Sequence, residues 1–138
     1  MKLGFIGFGN LASAVYRGLK GEENLEFAYI DQGDKEVDVP YLGQMADLAA
    51  FADVIWLTVK PQDLEGILEQ LKTHDIKDKT IVSPVAGKTI AYIERYLGKE
   101  QRVVRIMPNL AMAYRKSVTA FATNQPGSSE AMEIFALL

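Results

Sequence analysis

Short apolar runs and helical apolar periods alternate along this chain almost from its first residue to its last, and a chain so patterned buries itself most readily as an α/β sheet. Residues 2–6 form an apolar run that leads into glycine. Leu11, Ala14, Val15, Gly18 and Leu19 then recur at i, i+3, i+4, i+7 and i+8, which is one face of a helix. A second run at 27–30 follows the polar turn Gly21-Glu22-Glu23-Asn24. Residues 39–42 read as a brief strand, although Pro40 cannot donate to a ladder, and 44–51 as a short helix. The run 54–59 is the strongest strand, apolar nearly throughout, as expected where helices cover both faces of a parallel sheet. Pro61 suits a first helical turn, where its missing N–H costs nothing, and Leu64, Ile67, Leu68 and Leu71 keep the helical period. A polar link at 72–79 leads to a strand at 80–83. After a turn at Gly87, Thr89 stands as an N-cap, Ile90, Ile93 and Leu97 line one face, and Gly98 closes the helix. Runs at 102–107 and 117–121 read as two more strands, and a last helical period opens at Ser128 and runs through Met132, Phe135 and Ala136. The pattern predicts one Rossmann-type domain over 1–138, a doubly wound, mostly parallel sheet with helices on both faces.

Composition narrows the partners. The chain has 138 residues, 49% of them hydrophobic and 24% charged, which is enough apolar content for a packed core. It has no Cys and a single His, so it offers no disulfide, Fe–S or zinc-thiolate chemistry, and no metal site is expected. Fifteen basic residues against eighteen acidic ones leave a net charge of −3, which exerts little pull on nucleic acid or an anionic membrane. No apolar stretch approaches the ~20 residues of a membrane span. Glycines and Asn10 interrupt the N-terminal apolar run, which is therefore no secretion signal. A cytoplasmic location is expected.

Gly7-Phe8-Gly9-Asn10-Leu11-Ala12 is G-x-G-x-x-A placed between the first strand and the first helix. In such a loop the first glycine allows the tight turn, the second lets a pyrophosphate approach the backbone, and the small third residue lets helix and strand pack closely. The N–H groups and positive dipole end of the helix then meet the phosphates. Glycines at such a junction are also found where they serve only as a turn. Asp31, at the end of the second run, lies near the ~20-residue spacing of the acid that accepts hydrogen bonds from the adenosine ribose. A carboxylate there repels a 2′-phosphate and leans towards NADH. Asp31 has a second reading, as the opener of a turn with Gln32, Gly33 and Asp34.

The acids and bases of carbonyl chemistry are scarce. Hydride transfer to a carbonyl needs a nearby acid, commonly His, Lys or Tyr, and the single histidine, His74, sits in the polar link as a solvated loop residue. No G-x-S-x-G elbow or H-E-x-x-H occurs, which removes serine-hydrolase and zinc-protease readings. Lys60 follows the strongest strand, towards the crevice where such sheets bind ligands; it either orients cofactor or substrate there or caps the strand in solvent. A scarcity of acids suits a C=N substrate better than a C=O one, because an iminium is already protonated when hydride arrives.

Three further blocks stand where strands end: Val59-Lys60-Pro61-Gln62, Ser83-Pro84-Val85-Ala86-Gly87, and Arg102-Val103-Val104-Arg105-Ile106-Met107-Pro108-Asn109. With the opening Gly4-Phe5-Ile6-Gly7-Phe8-Gly9-Asn10-Leu11-Ala12, they make the whole chain resemble the N-terminal cofactor domain of the pyrroline-5-carboxylate reductase family. That resemblance implies an NAD(P)H-dependent reduction of 1-pyrroline-5-carboxylate, a small cyclic imino acid, to proline, within amino-acid biosynthesis. It places Phe8 to Leu11 against the pyrophosphate, Val59, Lys60 and Pro61 along the adenosine side and nicotinamide ribose, and Ala86, Gly87, Pro108 and Asn109 beside the nicotinamide and the substrate pocket. Family habit favours NADPH, whereas Asp31 favours NADH. Leu110-Ala111 stand where the family has Thr-Pro, Pro84-Val85 where it has small residues, and Tyr114-Arg115-Lys116 where it has small or acidic ones; all border the expected substrate pocket. The resemblance also implies a C-terminal helical domain that dimerises and completes the active site. The apolar end at Leu137-Leu138, without a stop signal, fits a longer, homo-oligomeric parent from which this chain alone turns over little substrate. The alternatives are a β-hydroxyacid or 6-phosphogluconate-type dehydrogenase domain and a non-catalytic dinucleotide-binding regulator.

Overall fold

A computed structural model describes residues 1–107 and 120–124 of the chain. The elements are β1 (Lys2–Ile6), α1 (Asn10–Leu19), β2 (Glu26–Ile30), α2 (Met45–Phe51), β3 (Val54–Leu57), α3 (Leu64–Leu71), β4 (Thr80–Ser83), α4 (Ile90–Leu97), β5 (Arg102–Met107) and β6 (Ala120–Thr123). They build a six-stranded sheet in the order β2-β1-β3-β4-β5-β6. The first five strands of that order are mutually parallel, and β6 lies antiparallel to β5. From β1 the chain steps outward to β2, then crosses to the other side of β1 for β3. The point of reversal therefore lies between β1 and β3, at the carboxyl ends of the strands, where open α/β sheets bind their ligands.

Alternation within the strands sorts the core into two layers. Leu3 and Phe5 of β1 and Val54 and Trp56 of β3 meet Ala12, Val15 and Leu19 of α1 on one face. Ile6, Ile55, Leu57 and Ile81 meet Leu48 of α2, Leu64, Leu68 and Leu71 of α3 and Ile93 of α4 on the other. Burying each such leucine or isoleucine contributes about 1.5–3 kcal/mol, so every helix is held chiefly by its apolar stripe. Gly4 is the gap in that pattern: a Cβ there would stand 2.9 Å from Ala52 Cβ and 3.0 Å from Leu48 Cδ1. Its bareness lets α2 seat directly on β1.

Several boundaries differ from the sequence expectation. Residues 39–42 make no strand; they lie beside β2 through one parallel bridge, Tyr29 to Tyr41. Tyr29 N–H donates to the Pro40 carbonyl at 3.0 Å and Leu42 N–H to the Tyr29 carbonyl at 2.9 Å. Pro40 has no N–H to continue the ladder, and Gly43 at φ 81° turns the chain away. The strand expected over 54–59 ends at Leu57, and Thr58 turns its side chain to the loop after β1. Pro61–Asp63 is a 3₁₀ turn, and the α-helix proper starts at Leu64. Thr89 caps α4 as expected, accepting from Tyr92 N–H at 3.1 Å. The final strand, expected over 117–121, is described as Ala120–Thr123, and the helix expected from Ser128 lies outside the described residues. No described helix is long and apolar enough to cross a membrane.

Candidate functional site

A cleft of about 910 Å³ opens at the carboxyl ends of β1, β2, β3 and β4. Its floor is the loop from Gly7 to Leu11, and its walls are Asp31, Gln32 and Lys35 after β2, Thr58 to Pro61 after β3, Ile67 and Gln70 on α3, and Pro84 to Ala86 after β4.

Within the loop the residues divide the labour. Gly7 has φ 86°, and a Cβ there would lie 2.6 Å from the Thr58 carbonyl oxygen, so only glycine fits. Phe8 turns its ring down into the core, edge-on to Phe5 with centroids 5.5 Å apart and 4.9 Å from Tyr29. Its N–H donates to Asp31 Oδ2 at 2.8 Å. Gly9 is exposed, and a Cβ on it would meet nothing within 4 Å. The fold does not demand glycine there; an added Cβ would only fill the cradle above the loop. Gly9 is also the N-cap of α1, with no side-chain cap, so the first N–H groups of that helix lack an intrahelical or capping acceptor. Helix dipole, free donors and an open cradle together suit an anionic group.

Asp31 opens the turn that the sequence offered and also reaches back to the glycine loop. Oδ1 accepts from Gln32 N–H at 2.7 Å, which opens the turn, while Oδ2 holds Phe8. Lys35 brings its ammonium to 4.0 Å from Oδ2, with side chains 48% and 18% exposed, a distance and exposure that make the pair a weak one. Lys60 is exposed at the cleft wall and forms no ion pair among the described residues.

Of the residues expected from sequence, Gly7, Phe8, Gly9, Asn10, Leu11, Asp31, Val59, Lys60, Pro61 and Ala86 line this one cleft. Ala12 lies beneath it, fully buried against the sheet, and Gly87 stands just beyond its rim at φ 74°. Pro108 and Asn109 lie outside the described residues, as do Leu110-Ala111 and Tyr114-Arg115-Lys116. Gln32, Lys35 and Thr58 join the wall without having been singled out; a hydroxyl closing an otherwise apolar strand was the signal for Thr58. His74 lines a separate hollow with Asp75 and Lys79. Among the described residues no group of three His, Asp or Glu is placed to hold a metal ion.

Residues 2–87 match the protein family described as NADP oxidoreductase coenzyme F420-dependent. The chain belongs to this family. Among proteins similar to this chain is pyrroline-5-carboxylate reductase 2 of Bacillus subtilis, 30% identical over 92% of this chain and 49% of its own length. Among solved structures, 1-pyrroline-5-carboxylate reductase from Streptococcus pyogenes superposes with a TM-score of 0.85 at 26% identity, over 99% of this chain and 55% of that one. The Plasmodium falciparum pyrroline carboxylate reductase with NADP bound shares the fold, with a TM-score of 0.88 at 24% identity, over 99% of this chain and 55% of that one. The chain spans about half the length of the curated relatives it matches.

Proposed function

We propose that the cleft takes NADH or NADPH, and that this domain is the cofactor half of a reductase acting on 1-pyrroline-5-carboxylate, the catalytic completion coming from a further helical, dimerising domain. The observation that carries the reading is Gly9: its Cβ position is empty space directly over the uncapped N-terminus of α1, at the point of strand reversal. A pyrophosphate fits that cradle by charge and by shape. The names of the relatives supply the substrate, a C=N acceptor that, once protonated as an iminium, needs no further proton from the protein as hydride arrives.

When bound, the nicotinamide supplies a hydride. The chain's own residues bind and orient. N–H groups from Gly9 onward face the phosphates, Phe8 anchors the loop from below, and Asp31 stands at the ribose end. Both Asp31 oxygens already accept one backbone N–H, and their remaining lone pairs are available to ribose hydroxyls. Lys35 beside them offers a cation to a 2′-phosphate, so the preference for NADH is modest and NADPH also binds. Lys60, without an ion pair among the described residues, stands at the wall between β3 and α3 and orients the nicotinamide half or the substrate carboxylate.

Calorimetric titration of the chain with NADH and NADPH, alongside Asp31→Ser, tests this. NADH is expected to bind severalfold tighter than NADPH, and the order to narrow or reverse in the variant. Binding of neither nucleotide would reduce the glycine loop to a turn and overturn the reading.

A further inference from the structure

The loop that forms the cleft floor is pinned through one peptide unit. Gly7 supplies the carbonyl of that unit and Phe8 the N–H. The carbonyl accepts from Thr58 Oγ1 at 2.6 Å, and the N–H donates to Asp31 Oδ2 at 2.8 Å. Thr58 comes from the end of β3 and Asp31 from the end of β2, the two strands that flank β1. The Gly7 N–H is also taken, by the Ile30 carbonyl at 2.8 Å, and the Thr58 N–H continues the ladder to the Ile6 carbonyl at 3.1 Å. The Thr58 hydroxyl lies 3.1 Å from that same Ile6 carbonyl, but its single proton is better placed for the nearer Gly7 oxygen.

A peptide held at both ends cannot rotate about its flanking bonds without breaking a hydrogen bond to a side chain. Rotation is the motion a glycine would otherwise permit, because Gly7 at φ 86° sits in a region where glycine has many neighbouring conformations. The orientation of the next residues follows from this peptide: Gly9 and the first turn of α1 present their N–H groups to the cradle only while the Gly7–Phe8 plane is fixed.

We infer that Thr58 is a positioning residue for the dinucleotide site: its hydroxyl and the Asp31 carboxylate clamp the Gly7–Phe8 peptide from opposite sides and hold the phosphate-binding loop ready before any ligand arrives. The ligand part of this inference rests on the dinucleotide reading above; the clamp itself does not. Because the clamped loop meets the pyrophosphate, common to both nucleotides, Thr58 acts on NADH and NADPH alike, whereas Asp31 also discriminates between them.

The test compares wild type, Thr58→Val and Thr58→Ser in two measurements on the full chain. In the ligand-free protein, hydrogen exchange of the Phe8 amide is followed by NMR; in titrations, NADH and NADPH affinities are read. Thr58→Val keeps the shape and removes the hydroxyl. It is expected to speed Phe8 exchange about tenfold and to weaken both nucleotides by the same factor, about fivefold, as loss of one hydrogen bond implies. Thr58→Ser, which keeps the hydroxyl, is expected to restore both readouts, which a role in packing alone would not allow. Wild-type exchange and affinity in Thr58→Val would overturn the clamp, as would a Thr58→Ser variant as impaired as the valine one. Should the wild type bind neither nucleotide, the dinucleotide reading falls, and the exchange measurement still decides the clamp.

Discussion

Gly7 and Gly9 occupy one loop, yet the structure demands glycine at only one of them. At Gly7 a methyl group would meet the Thr58 carbonyl at 2.6 Å in a backbone with φ 86°. Gly7→Ala is therefore expected to cost about 2 kcal/mol or more in stability, read as a fall in the thermal midpoint of roughly 5 °C or more. At Gly9 φ is −100° and a methyl group meets nothing, so Gly9→Ala should unfold within about 0.5 kcal/mol of the wild type. Its effect falls on the ligand: nucleotide affinity should drop at least about tenfold, as expected where a backbone must approach a pyrophosphate. Calorimetry and thermal unfolding on the same two variants separate the roles. The sequence motif assigned those roles in advance, since both glycines stand at their places in G-x-G-x-x-A. It could not show that Phe8 is a core residue whose N–H is already committed to Asp31, because that bond joins the ends of two different strands. Thr58 was only half legible for the same reason: its hydroxyl stood out in an apolar run, but it acquires meaning only once β3 lies beside β1.

Helices and strands were legible wherever one period ran long enough to decide, and least so at their ends. The β1–α1 unit and α3 follow their apolar stripes, whereas 39–42 carried a strand-like run that Pro40 and Gly43 cut to a single bridge. Gly4 shows a constraint between elements that no period reveals. Substituting Gly4→Ala would force α2 off β1 at Ala52 and Leu48, with an expected cost of about 1–3 kcal/mol from overpacking, measurable by denaturant titration. The seam between α3 and α4 makes a different prediction. Tyr96 donates to Glu65 Oε1 at 3.3 Å and packs on Tyr92, whose ring also carries the Lys88 ammonium at 4.6 Å. The Tyr92 phenol, burial and the Glu65 carboxylate push the Tyr96 hydroxyl from 10.0 up to about 12. A folded value above the unfolded one means that the stabilisation is complete below pH 10 and is lost as pH rises from there through 12. The free energy of unfolding followed across that range should fall less steeply in Tyr96→Phe than in the wild type, and identical slopes would remove Tyr96 as the cause.

The alternation of runs and periods implied a parallel sheet, but not its order, because strand neighbours are chosen by packing between distant segments. The order β2-β1-β3-β4-β5-β6 is what turns a glycine loop into a cleft: it sets the ends of four strands around one concavity and lets β2 and β3 grip the loop from both sides. A ligand seated across four strands touches the elements that must separate when the molecule unfolds, so binding should register as global stability. Saturation at about a hundred times Kd adds about 2.7 kcal/mol, a rise in thermal midpoint of several degrees. Within the dinucleotide the effect should be unequal. The described walls supply Asp31, Lys35 and the α1 N-terminus, so ADP-ribose is expected to produce most of the shift seen with the whole cofactor, and nicotinamide mononucleotide little of it. Gly9→Ala should cut the ADP-ribose shift by about half or more while leaving the ligand-free midpoint in place. A mononucleotide shift equal to that of ADP-ribose would instead place the dominant contacts at the β3–β4 side of the cleft, around Lys60 and Ala86.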